Sequence, residues 1–390
     1  MFWAGSVWIL PACGVRFGAA DIPRPMTRRG DPRAEPLTCP PLRLLGVKEF
    51  GFELRVCAWA ERHWPPGDDT GRDDDRVAIV ARQLGTRRRR WDTVVVETTR
   101  EALDRRGPFG DGRLDADLLH VARNAPGSWA YYRDVLPDPG YPWRYVREAV
   151  HRAADRGFVD TRKRGNRVEL RRRYRYPDWV DRVVAIENKP DLDAAAARAL
   201  SGQLEHDVAL GLADEVWLAT AATAADVEPA LLEAIPVEVG ILAVAGTPDG
   251  WRADTVWNPR TLDPGGPGTR ILERPAGGEA DASAARFEYA DPAWKRGKRL
   301  EISERAYERG WRSYAETMRT DCRHFRLRNP AGPFPWCGAK DGEQTAAECT
   351  GGCPSFEPEP PMWRRRGWPI EGGPGKATDR LLARKRRRRR

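Results

Sequence analysis

The chain has 390 residues, 41% of them hydrophobic, with 16 tryptophans and a formal net charge of +9 at pH 7. That length carries two or three domains with cores of their own, and no apolar run reaches the eighteen or so residues of a membrane span. Seven basic residues sit in the terminal stretch 383–390, so the body is close to neutral and basic partner signals must be sought locally.

Residues 1–20 are apolar but lack a basic start and are broken by Pro11, which argues against a secretory leader. With the Pro- and Arg-rich stretch that follows, 1–45 is expected to be a disordered extension of a cytoplasmic protein. The folded part begins near Lys48 with a helix over 49–59 that carries Glu53 and Cys57. The acidic stretch 65–75 reads as a loop without calcium-loop spacing. After Arg87, Arg88, Arg89 and Arg90, Asp92 opens a β-branched strand through Val96.

An insertion over 112–175 follows. Two short helices are predicted at 113–123 and 129–136. A third at 142–156 places Tyr145, Val146, Ala149, Val150 and Ala153 on one apolar face. Gly165 and Asn166 then turn a hairpin. Three helices and a basic hairpin resemble a winged helix-turn-helix. Arg162, Lys163, Arg164, Arg167 and Arg171 would contact DNA phosphates from the wing; the alternative is a surface hairpin solvated by its arginines.

The apolar run 183–186 ends in Glu187, Asn188 and Lys189. Alternation along a strand sends Glu187 and Lys189 to the same face. The chain uses 58 arginines and only 8 lysines, so a compact ammonium beside a carboxylate here stands out. A helix over 192–212 carries Gln203, and a strand follows at 215–219. If the strands of Asp92 and Glu187 pair antiparallel, the two carboxylates converge with Lys189 beside them, in a form suited to magnesium. Asp178, nine residues before Glu187 and preceded by Pro177, is the alternative acidic position. It would need a chain reversal near Asp181, where turn-forming residues are lacking.

Further on, a helix over 228–234 and a strand over 237–244 continue the alternation. Residues 246–292 read as a linker with at most a short hairpin near 252–256, and a helix is expected over 300–319. Cys322, Cys337, Cys349 and Cys353 then fall within 32 residues. Four thiolates can close a tetrahedral zinc site or hold an iron–sulfur cluster, and His324 could replace one ligand; the alternative is that the cysteines are free or disulfide-bonded. Residues 361–390 read as a basic disordered tail.

Asp92, then Glu187-Asn188-Lys189, then a helix with Gln203 resemble the PD-(D/E)XK nuclease superfamily, with Glu53 as the acidic residue such folds often carry in their first helix. The motifs are short and cover 48–98 and 176–245. The whole chain is also similar to an archaeal group of domain-of-unknown-function proteins, which implies no activity. The resemblance to the nucleases implies an α/β, restriction-endonuclease-like mixed sheet flanked by helices over 46–245; the residues themselves add the winged helix that interrupts it and a cysteine-rich metal module at 293–360. The resemblance implies magnesium- or manganese-dependent cleavage of DNA, with Asp92 and Glu187 as ligands and Lys189 and Gln203 assisting; zinc (or an iron–sulfur cluster) in the cysteine module is expected from the cysteines themselves. A non-catalytic DNA-binding protein on the same scaffold is the competing reading.

Overall fold

The structure, a computed structural model, describes residues 49–67, 75–222, 233–247, 250–273, 286–328, 334–350, 352–364 and 373–387. The expectations for 1–45, for most of the acidic loop and for a helix at 228–234 lie outside them. Six strands build the central sheet: β1 (Arg76–Gly85), β2 (Arg90–Thr99), β6 (Arg182–Asn188), β7 (Glu215–Ala221), β8 (Gly240–Thr247) and β9 (Gly250–Trp257), in that order. β1, β2 and β6 are mutually antiparallel, β6, β7 and β8 run parallel, and β9 returns antiparallel at the edge. The result is a mixed sheet flanked by helices. No helix among the described residues is long and apolar enough to cross a membrane.

Alternation along the strands explains the two layers. In β6, Val184 and Ile186 face a core shared with α1 (Glu49–His63), the 3-10 helix Trp311–Thr317 and Leu382 of α8 (Gly373–Arg387). Val183 and Ala185 face the opposite core, filled by α6 (Ala194–Leu210), α7 (Pro292–Arg309) and α2 (Arg100–Arg106). Both faces of β6 are covered, so it reads as a continuous apolar run. Asp193 caps α6 through its side chain, accepting from Ala196 N, and Gly211 ends it at φ +54°.

The segment between β2 and β6 has a third core of its own. Within it, α3 (Ala116–Asn124) and α5 (Trp143–Asp155) pack together, with α4 (Tyr132–Val135) as a single turn between them. β3 (Ala130–Tyr131), β5 (Arg167–Arg172) and β4 (Val159–Arg164) form a three-stranded sheet. Val146, Ala149, Val150 and Ala153 are buried as the helical spacing requires, whereas Tyr145 is exposed. Glu304 of α7 joins this segment to the body: it takes Arg106 at 2.5 Å and Leu114 N at 3.1 Å, both buried, and the partly buried Tyr176 hydroxyl at 2.7 Å.

Two stretches differ from expectation. The supposed linker 246–292 holds β9 and the pair β10 (Gly268–Glu273) and β11 (Arg286–Ala290). In β9 only the first residue is buried, and Trp251 and Ala253 alone alternate toward the core, so the edge strand gives a short signal in sequence. The supposed disordered tail holds α8, whose Leu382 is buried against the body. The helix expected at 300–319 starts eight residues earlier, at Pro292 behind an Asp291 cap, and passes into the 3-10 helix at Trp311.

Candidate active site

The decisive arrangement lies where the start of β2 meets the end of β6. Thr93 pairs with Ile186 in the antiparallel register, which sets Asp92 opposite Glu187 one step further on. The backbone N–H of Asn188 donates to Asp92 Oδ2 at 3.0 Å. Lys189 continues the strand by donating its own N–H to the carbonyl of Ala219 at 2.8 Å, so alternation carries its side chain to the face of Glu187. Among the described residues no ion pair engages the Lys189 ammonium.

Glu187 is nearly buried, and the removal of water pushes its carboxyl up to about 7, with the charge of Asp92 adding to the rise and Arg89 opposing it. Arg89 was not foreseen as a site residue. Its Nη2 donates to Glu187 Oε2 at 2.8 Å and its Nε to Asp207 Oδ2 at 2.9 Å. Burial also raises Asp207, and Arg89 works against that rise. The guanidinium pays for its own desolvation through these two carboxylates, Asp207 first, and is held above its ordinary range. Asp207 stands one helical turn after Gln203, so both lie on the same side of α6. Gln203 lines an open cleft of about 650 Å³ together with Arg88, Arg89 and His206.

Glu53 comes from α1 on the other side. Arg82 grips it with Nε at 2.9 Å and Nη2 at 2.8 Å. Gln83, at φ +54°, aims its Nε2 at Glu53 Oε1 (3.1 Å) and Asp92 Oδ1 (3.0 Å), linking the two acids. Burial raises the Glu53 carboxyl, with Arg82 acting against it. Beneath them Asn188 Nδ2 donates to Thr93 Oγ1 at 2.9 Å, and the Cys57 sulfur lies 3.3 Å from the same hydroxyl. Cys57 is buried, as expected of a core thiol.

The structure thus brings Asp92, Glu187, Lys189, Gln203 and Glu53 to one end of β6. It does not bring Asp178 there. That residue is exposed before the first residue of β6, at the opposite end of a strand roughly 17 Å long between 182 and 187. Asp92 and Glu187 are two carboxylates, and among the described residues no three His, Cys, Asp or Glu side chains are arranged to hold an ion. Two carboxylates completed by waters and a substrate phosphate suit magnesium. Glu187 Oε1 accepts no hydrogen bond from a described residue, and each Asp92 oxygen takes only one, so oxygen lone pairs remain for an ion.

Cys322, Cys337, Cys349 and Cys353 all line one small cavity of about 20 Å³. Burial raises the Cys349 thiol, and the other three add to the rise. The cysteines described are all free thiols. They converge from the bridge at Cys322, the end of β13 (Phe334–Cys337) and two turns. His324 instead meets Glu357 at 3.2 Å. In the hairpin β4–β5, Arg162 is held by Glu169 and Arg171 by Asp160, with Trp129 beneath both guanidinium groups. Arg164 and Arg167 have only distant acids, each at 3.9 Å.

A family of unknown function (DUF5787) matches residues 79–358. The chain belongs to this family. The match runs from β1 through the fourth cysteine and takes in Asp92, Glu187, Lys189 and Gln203, but not Glu53. No curated protein and no solved structure matches the chain.

Proposed function

We propose that this protein is a metal-dependent deoxyribonuclease with a restriction-endonuclease-like core and a winged-helix insertion. The observation that carries the reading is the pair Asp92 and Glu187, set side by side at a strand end with Glu187 desolvated and its carboxyl raised to about 7. A buried carboxylate repelled by its neighbour gains most from a bound cation. Asp92 and Glu187 would hold magnesium or manganese. The ion would supply Lewis-acid polarisation of a phosphate and a more acidic water. Lys189, without a counterion, orients the attacking water and offsets the charge growing on the phosphate. Gln203 positions the strand being cut from α6, and Glu53 supports Asp92 through Gln83. The free thiols suit a reducing, cytoplasmic setting; the four cysteines line one cavity but are not set in an ion-holding arrangement among the described residues, and would have to close on zinc to steady the C-terminal segment, with an iron–sulfur cluster as the alternative.

The competing reading is a DNA-binding protein without catalysis. The Arg89–Glu187 ion pair favours it, because the guanidinium already neutralises one of the two ligands. The deciding experiment incubates the purified protein and its Glu187→Ala and Lys189→Ala variants with labelled single-stranded, duplex and branched DNA, with and without magnesium or manganese. Metal-dependent cleavage lost in both variants, with binding retained, supports the nuclease. Binding without cleavage under every condition leaves the recognition protein.

A further inference from the structure

A second cleft lies at the opposite end of β6. It is open, about 1060 Å³ in volume, and bounded by Arg105 of α2, Arg123 of α3 and the connector that leads from β5 toward β6. Arg172 at the end of β5 and Arg173, Tyr174 and Arg175 of that connector line it. Asp178 is the one carboxylate in its wall. An arginine-rich chain scatters guanidinium groups widely, so what matters is which of them already have acids. Arg105 pairs with Glu101 and Arg173 with Asp160. Among the described residues Arg123, Arg172 and Arg175 pair with no acid. Three uncommitted guanidinium groups therefore converge on one concave surface, where field lines concentrate and anions accumulate.

The hairpin offers a weaker site. Its arginines Arg162 and Arg171 are neutralised by Glu169 and Asp160 and stacked on Trp129. Tyr174, 46% exposed, stands among the cleft arginines with its ring open to solvent. Planar guanidinium forks match phosphate oxygens, and an exposed aromatic ring accepts an unstacked base.

We propose that this cleft is a binding site for single-stranded nucleic acid, with Arg123, Arg172 and Arg175 on the phosphates and a base on Tyr174. It deepens the nuclease reading by naming where the strand is held, and it stands apart from the carboxylate end of β6. The strand held here is long enough to reach beyond the cleft only if it is a polymer, which separates this site from a free phosphate pocket.

The test uses the full chain in EDTA, so that cleavage plays no part, and follows a fluorescent single-stranded oligonucleotide by anisotropy across a salt series. The double variant R123A/R175A should bind about tenfold or more weakly, and its log–log salt slope should fall by about 1.4, near 0.7 per phosphate contact on a single strand. Tyr174→Ala should lose at least about fivefold while Tyr174→Phe retains affinity, since the face of the ring does the binding. All four side chains are exposed, and thermal melting confirms that the variants remain folded. Unchanged affinity and slope in R123A/R175A would overturn the proposal, as would an equal loss for a matched duplex in Tyr174→Ala. Inorganic phosphate competing as well as the oligonucleotide would do the same. Glu187→Ala should bind normally here, so loss of the nuclease reading and loss of this one give different results.

Discussion

Arg89 answers two buried carboxylates with one guanidinium, and the balance of that triad governs the site. Removing it in Arg89→Ala leaves Asp207 charged and out of water, which costs on the order of 3–5 kcal/mol. Asp207→Asn in the same background should restore part of the loss, measured by urea denaturation. Glu187 makes the pH dependence explicit. Its folded carboxyl titrates near 7, above the ordinary value of 4.5. Its contribution is therefore full below the ordinary value and is lost as the pH rises through about 7. In metal-free protein the wild type should lose up to about 3 kcal/mol relative to Glu187→Gln between pH 4.5 and pH 8, at 1.36 kcal/mol per unit. Urea melts of both proteins at the two pH values check the sign. A stability difference that did not move, or moved the other way, would remove the desolvated acid from the account. Added magnesium should stabilise the wild type most above pH 7, where the carboxylate is charged, and Glu187→Gln little at any pH.

At the scale of elements, Glu304 is the joint between the inserted segment and the sheet. It draws on α7 for its backbone, on α2 for Arg106 and on the connector for Tyr176. Glu304→Ala would leave the Arg106 guanidinium, which has no exposure to solvent, without its acid, at about 3–5 kcal/mol. Thermal melting should show the loss, and limited proteolysis should cut within 107–175 faster than in the wild type. Most of these elements are legible in sequence because their signals are local. Val146, Ala149, Val150 and Ala153 report their helix through their spacing, and Gly165 reports the hairpin through φ +60°. The start of α7 had a local signal too, the Asp291 cap followed by Pro292. β9 had only a weak one, read as at most a short hairpin near 252–256, because Trp251 and Ala253 alternate toward the core over just a few residues before the strand turns to solvent.

For the whole molecule, the proposed zinc at the cysteine-lined cavity would set the stability of the C-terminal segment. Its small sheet, β12 (Phe325–Arg328), β13 and β14 (Gly342–Glu343), is short, and such a segment gains greatly from a metal. Protein purified under reducing conditions should carry one zinc per chain by elemental analysis. Cys349→Ser should lose that zinc and melt several degrees lower. Iron with brown visible absorbance would replace zinc by a cluster. Retention of full stability with no bound metal would leave four free thiols.

The sequence by itself determined the apolar strand that ends in Glu187, Asn188 and Lys189, the strand that opens on Asp92, and the helix carrying Gln203. These follow from periodicity; the antiparallel pairing that sets Asp92 beside Glu187 came with the fold. Only the tertiary structure decided that Arg89 reaches Asp207 and Glu187, that Gln83 ties Glu53 to Asp92, that Asp178 sits at the far end of β6, and that Arg123 and Arg175 share a cleft. Those partners lie far apart along the chain. No local spacing encodes them, because a side chain's partner is chosen by how whole layers pack rather than by its neighbours in sequence.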